Sequence, residues 1–115
     1  MNVELDEMDG VTVATLFGEL DSRTAPIIQD KLLTLTEQNG KALLDMSGVS
    51  YISSAGLRAL LILYRRMTAN DGRVALVGLT ESIRDVMSVT GFLEFFDDYP
   101  SLDEGLDALR ADSAS

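Results

Sequence analysis

The residues that could do chemistry in this chain stand in three small groups. Ser53 and Ser54 are adjacent hydroxyls just ahead of an apolar run beginning at Leu57. Glu19 and Asp21 are two carboxylates on either side of Leu20, and Arg58, Arg65 and Arg66 follow the serines. A serine hydroxyl can serve as a nucleophile, as a helix cap or as an acceptor of phosphate. The first use needs a base. The sequence contains no histidine and no cysteine, so Ser-His and Cys-His catalysis are excluded, as are zinc sites of the usual Cys/His type and disulfides. Only Lys31, Lys41 or a carboxylate could act as base, and neither lysine belongs to a Ser-Lys motif. No G-x-S-x-G elbow, G-x-G-x-x-G turn, Walker loop or EF-hand loop is present. Catalysis is therefore not expected, and neither a metal nor a cofactor is implied.

For the serines, two readings remain. One of them caps the helix ahead of Leu57, which is worth about 1 kcal/mol. Alternatively, the cap is kept and a serine is also a modification site. A phosphate at a helix N-terminus meets free N–H groups and the positive end of the dipole, so the fold tolerates it while about two negative charges enter the surface. Glu19 and Asp21 read equally as a contact loop for a partner or as a strand-end turn whose charge favours the following helix. On a helical wheel Ile62 falls between Arg58, Arg65 and Arg66. An apolar residue ringed by guanidinium groups is typical of protein interfaces, although Ile62 could equally widen the buried stripe.

These groups need a scaffold, and the hydrophobic pattern supplies one. Val3 and Leu5, then Val11, Val13 and Phe17, alternate around Asp9-Gly10, a hairpin signal. Gly18 to Ser22 breaks the strand pattern, Ser22 or Thr24 is placed to cap a helix, and Pro26 suits its first turn. Ile28, Leu32 and Leu35 give that helix an apolar stripe that Asn39-Gly40 stops. Residues 42–46 read as a buried strand, and Ser47 to Ser53 as a loop. A second helix then carries Leu57, Leu60, Leu61, Tyr64 and Met67 on one face and ends at Asp71-Gly72. A strand follows from Arg73 to Leu79. Thr80 caps a third helix with Ile83, Val86 and Met87 inward, closed by Gly91. Glu94 to Phe96 reads as a short strand, and Ser101 with Glu104 as a capping box opening a last helix with Leu102, Leu106 and Leu109 inward.

This order implies one α/β domain over residues 1–110, with a mixed, mainly parallel sheet of about five strands and about four helices. Residues 111–115 are expected to form a flexible tail. The length of 115 residues suits a single domain, and 46% hydrophobic against 24% charged residues suits a globule. Nine basic against nineteen acidic residues give a net charge of −10. So acidic a chain repels nucleic acid and anionic membranes. Seven of the acids lie between Glu94 and Asp112, as on a solvated helix face. The apolar run from Ala59 to Tyr64 is too short to span a bilayer, and no export leader is seen at the N-terminus.

The run Asp45-Met46-Ser47-Gly48-Val49-Ser50-Tyr51-Ile52-Ser53-Ser54-Ala55-Gly56-Leu57 resembles the signature of the STAS domain, in the branch of bacterial anti-sigma factor antagonists. Gly18-Glu19-Leu20-Asp21 resembles that family's second landmark, and the element order matches its fold over essentially the whole chain. The resemblance implies a cytoplasmic partner-switching protein, monomeric when free. Its unphosphorylated form would bind an anti-sigma factor that is also a serine kinase, freeing a sigma factor. Phosphorylation would release it, and a serine phosphatase would reset it. The acceptor aligns with Ser54. Where the family often has Asp before and Ser after the acceptor, this chain has Ser53 and Ala55, which leaves Ser53 as a second candidate. The partner surface implied comprises Glu19, Asp21, Ser22, Ser53, Ser54, Ala55, Gly56, Arg58 and Ile62. The alternative expectation is an unphosphorylated STAS scaffold or accessory subunit of a larger complex.

Overall fold

The computed structural model describes residues 2–35, 37 and 39–113. Strands β1 (Asn2–Met8) and β2 (Val11–Leu20) form the expected antiparallel hairpin. Its two-residue turn has positive φ at both Asp9 (53°) and Gly10 (82°). That geometry matches the strand twist and is the reason Asp-Gly is favoured there. Helix α1 (Ala25–Leu32) leads to β3 (Lys41–Ile52), then α2 (Ser54–Ala69), β4 (Arg73–Val77), α3 (Glu81–Val89), β5 (Asp97–Tyr99) and α4 (Leu102–Ser113). The sheet order is β1-β2-β3-β4-β5, with every pair after the hairpin parallel.

The sheet separates two apolar cores. On one side Leu16, Leu20, Leu44, Met46 and Leu76 pack with Ile28, Leu60, Met67, Ile83 and Met87 from α1, α2 and α3. On the other, Val11, Val13, Leu43, Ala75 and Val77 meet Leu106 and Leu109 of α4. Alternate residues of one central strand thus feed both cores, which is why the apolar runs of β3 and β4 show so little alternation.

Several elements differ from the sequence reading. Helix α1 ends at Leu32 rather than near Asn39 and passes into a 3-10 turn, Leu33–Leu35. Thr34 Oγ1 donates to the Lys31 carbonyl at 2.8 Å, a local bond that competes with the helical ladder. Ile28 and Leu32 are buried as expected, while the Leu35 side chain lies outside the described residues. On α2, Leu57, Leu60 and Met67 are buried, but Leu61 and Tyr64 are half-exposed, and Ala59 and Leu63 are buried instead. Contact with α1 as well as the sheet turns the buried arc toward that side. Val86 is exposed because the inward stripe of α3 is the i, i+4 pair Ile83 and Met87. Glu94 to Phe96 is not a strand. Gly91 (φ 82°) opens a 3-10 turn, Phe92–Phe95, and Phe95 and Phe96 pack on Tyr64 with centroids 5.6 and 5.5 Å away. The strand comes one step later at Asp97-Asp98-Tyr99, whose acids are unusual strand formers. Arg73 and Arg84 hold them by ion pairs. The caps at Thr80 and Ser101 form as expected, accepting from the N–H groups of Ile83 and Glu104. Helix α4 continues through Ser113, past the start of the expected tail.

The first turn of α2 lies against the end of β2. A Cβ on Gly56 would stand only 2.4 Å from the Leu20 carbonyl oxygen and 2.7 Å from Leu20 Cγ. Backbone cannot yield as a flexible side chain does. Gly56→Ala should therefore cost roughly 2 kcal/mol through overpacking, read as a lower midpoint in urea at unchanged m-value. An unaltered midpoint would show that this approach is not tight.

Candidate functional site

The carboxyl ends of β2 and β3 carry the serine pair and the acidic loop, and they run further than the sequence indicates. Ser47 to Ile52 continues β3 instead of forming a loop, and β2 pairs through Leu20 instead of breaking at Gly18. Two irregularities make this possible. Between the pairs Thr15↔Asp45 and Phe17↔Gly48, β3 holds one extra residue, and Asp45 Oδ1 braces it by accepting from Ser47 N–H (3.0 Å) and Oγ (2.7 Å). A second shift lies between Gly18 and Glu19, where Gly18 has φ 107°. The extension buries Val49 (1% exposed) and Ile52 (4%), which stabilises it.

The last pair, Leu20↔Ile52, sets the site. One residue on, Ser53 N–H donates to the Leu20 carbonyl at 2.9 Å. Ser53 is extended (φ −100°, ψ 176°), and its Oγ accepts from Gly56 N–H at 3.4 Å, so Ser53 is the N-cap. Ser54 is the first residue of the helix, exposed, and its hydroxyl has no hydrogen-bond partner among the described residues. Ser53 has the capping work, and Ser54 has a free hydroxyl beside first-turn N–H groups that no helical carbonyl can reach.

Ahead of α1, the expected caps are not used as such. Thr24 occupies the N-cap position but makes no side-chain cap. Asp21 Oδ1 accepts from the N–H groups of Arg23 (2.9 Å) and Thr24 (3.2 Å) instead. Thr24 Oγ1 ties the loop by donating to the Glu19 carbonyl (2.8 Å) and accepting from Asp21 N–H (2.9 Å). Arg23, missed in the sequence reading, reaches both Asp21 (3.0 Å) and Glu19 (3.5 Å). The Glu19–Arg23 spacing of four was the available signal. The Arg23 hydrogen bond chiefly holds the Asp21 carboxyl below its ordinary range, aided by the two backbone N–H donors. Asp21 raises the Arg23 guanidinium correspondingly.

The structure therefore brings Glu19, Asp21 and Ser22 to the same sheet edge as Ser53, Ser54, Ala55 and Gly56. Glu19, Ser22 and Ser54 are exposed, Asp21, Ser53 and Ala55 half-buried, and Gly56 buried. Arg58 is exposed one turn after Ser54, on the same helix face. Ile62 stands apart, half-buried in a groove between α1 and α2. It is neither a fully exposed apolar centre nor a core residue.

Residues 2–105 match the STAS domain family. The chain belongs to the STAS family, in its anti-sigma factor antagonist branch. BtrV of Bordetella bronchiseptica, described as a candidate anti-sigma factor antagonist, is 31% identical over 97 residues, 84% of each chain. An anti-sigma-B factor antagonist of Bacillus subtilis is 26% identical over 97 residues, 84% of this STAS chain and 89% of its own. The anti-sigma factor antagonist SpoIIAA in its unphosphorylated form superposes with a TM-score of 0.79 at 25% identity, covering 96% of this STAS chain and 97% of its own. SpoIIAA of Bacillus in its phosphorylated form gives 0.72 at 25%, covering 95% and 100%.

Two outcomes separate the roles of these residues in this STAS domain. Ser53→Ala should cost about 1 kcal/mol, a fall in Tm of roughly 4 °C, while Ser54→Ala leaves Tm within error. Equal losses would mean that both hydroxyls bond in solution. Asp21→Asn keeps the Oδ1 acceptor and removes the charge. Because folding lowers the Asp21 pKa, its charged form adds stability above the ordinary carboxyl pKa of about 3.9 and loses it as pH falls further. The wild type should melt higher than Asp21→Asn at pH 7, and the gap should narrow as pH falls below the ordinary carboxyl value of about 3.9. A gap that stays constant with pH would show that the charge contributes nothing.

Proposed function

We propose that this STAS protein is a phosphorylation-controlled switch acting on a kinase-type anti-sigma factor. Unphosphorylated, it binds the anti-sigma factor through the Glu19, Asp21, Ser22 loop and the Ser53–Gly56 turn, with Arg58 on the adjoining helix face. A sigma factor is thereby freed. The anti-sigma factor's serine kinase activity then modifies Ser54. Ser54 Oγ forms a bond to the γ-phosphorus of ATP, the bond to the bridging oxygen breaks, ADP leaves, and the hydroxyl proton passes to the kinase. The phosphoprotein dissociates and a serine phosphatase resets it. The chain is an acceptor in this cycle and not a catalyst, and it works in the cytoplasm as a monomer. No helix among the described residues is long and apolar enough to cross a membrane.

One observation carries the assignment to Ser54: its hydroxyl is exposed and unbonded while its neighbour holds the cap. Modifying Ser54 leaves the Ser53–Gly56 bond in place. The added charge of about −1.5 to −2 instead falls on the binding edge, which the pairs Glu19↔Tyr51 and Leu20↔Ile52 place beside Glu19 and Asp21. Like charges there disfavour a partner that docks on carboxylates, whereas Arg58, one turn on, can draw the phosphate inward.

Paired baits test this. Ser54→Ala should capture an ATP-binding kinase from the native host, and Ser54→Asp, which folds with the same Tm, should not. Equal capture by both, or by neither, would overturn the switch and leave a STAS scaffold as the better account. Phosphate found at Ser53 in cells, with Ser54 unmodified, would overturn the choice of acceptor.

A further inference from the structure

Apart from the Ser54 edge, one surface combines an apolar recess with unpaired charge. Between α1 and α2 lies an open groove of about 130 Å³, lined by Leu32 and Leu33 on one side and Ala59, Ile62 and Leu63 on the other, with Arg66 at its rim. That is close to the roughly 150 Å³ of a cavity able to hold a benzene molecule, so the groove accepts one large apolar side chain. Leu33 is 39% exposed and Ile62 half-exposed, so the recess stands open on the described surface.

The charge around it runs against the rest of the molecule. Arg23, Arg73, Arg84 and Arg110 all pair with carboxylates. Arg58, Arg65 and Arg66 have no acid within ion-pair distance among the described residues, although acids outnumber bases 19 to 9. All three are exposed and lie on α2, whose sixteen residues include no Asp or Glu. The helix thus carries +3 in a chain of −10, leaving −10 − 3 = −13 elsewhere. On α1, Asp30 is balanced by Lys31 beside it. On the helix wheel Arg65 and Arg66 flank Ile62 on opposite sides, Arg66 lining the recess and Arg65 lying just outside it on the same helix.

We infer that this groove is a docking site for an acidic amphipathic helix of a partner protein, which seats one apolar side chain beside Ile62 and sets carboxylates against Arg65 and Arg66. Apolar anchors ringed by guanidinium groups suit such helix-in-groove recognition. A nucleic acid or anionic membrane would feel the −13 of the remaining surface, whereas a short helix meets only the local positive stripe. The surface is separate from the switch. Arg66 lies twelve residues along α2 from Ser54, about 18 Å at 1.5 Å per residue, beyond the Debye length of about 8 Å at physiological salt. Occupancy of the groove is accordingly insensitive to charge at Ser54.

A synthetic 14-residue helical peptide with leucines at i, i+3, i+4 and i+7 and glutamates elsewhere is a suitable probe, alongside its twin with lysine in place of glutamate. In ¹⁵N NMR titrations of the full chain, the glutamate peptide should shift Gln29, Leu33, Ile62 and Arg66 and bind at least tenfold tighter than the lysine peptide. Arg65→Glu with Arg66→Glu, both solvent-facing and checked for an unchanged Tm, should weaken the glutamate peptide at least tenfold and reverse the preference. Ser54→Asp should leave the affinity within twofold of wild type, so that failure of the groove and failure of the Ser54 switch give different results. Equal binding of the two peptides, shifts mapping to another face, or no saturable binding would overturn the docking site. Strong dependence on Ser54→Asp would overturn its independence from the switch.

Discussion

The carbonyl of Leu20 is the point on which the site depends. It accepts the Ser53 N–H, and Gly56 lies against it at a distance that no side chain would permit. These two contacts bind the end of β2 to the start of α2, so the acidic loop leaving β2 and the serine pair entering α2 share one edge. Nothing in either loop alone would hold them there. The parallel pairing of β2 with β3, carried to Leu20↔Ile52 through two register shifts, delivers both chain segments to that carbonyl. Each shift increases local twist and re-aims the strand end. The burial of Val49 and Ile52 compensates for the ladder bonds lost at the irregularities.

Much of this fold is legible in the sequence because its signals are local. Asp9-Gly10 specifies a turn by the backbone angles it tolerates, and the four-residue spacing of Ile83 and Met87 specifies a buried face. Thr80 and Ser101 are caps for a reason that applies at any helix start. The misreadings share one physical origin, which is that long-range partners override local chemistry. Ser47-Gly48-Val49-Ser50 has loop composition, yet it is strand because β2 lies alongside to satisfy its backbone. Asp97-Asp98 has poor strand propensity, yet it pairs with β4 because Arg73 and Arg84 are in reach to neutralise it. The shift of the α2 stripe toward Ala59 and Leu63 likewise requires the position of α1, which no helical wheel contains.

The site was legible to the level of residue type and no further. Two adjacent serines before a helix announce a cap, but they do not say which serine provides it. That choice rests on the extended backbone of Ser53, fixed by its bond to Leu20. The carboxylates of Glu19 and Asp21 were visible as charges. Their role as anchors of Arg23, and the turn that Asp21 builds ahead of α1, emerge only from the loop's folded path. A resemblance to a family aligns positions, and the geometry then says what each is free to do.

With Ser53 as the cap and Ser54 as the proposed acceptor, the division has a consequence for how such a switch would work. Were the modified hydroxyl also the cap, a phosphate would exchange one set of helix-start bonds for another and disturb the turn that both loops share. With Ser53 holding Gly56 and Leu20, charge added at Ser54 leaves the anchoring bonds untouched and changes only the surface potential. At one end of α2 that potential is set by Glu19 and Asp21, and along the helix by arginines with no acid among them. Screening confines each influence to about a Debye length, so the sixteen-residue helix presents two electrostatically distinct regions, one responsive to Ser54 and one not. On the proposed reading, charge at Ser54 alters one contact surface and leaves another, on the same helix, as it was.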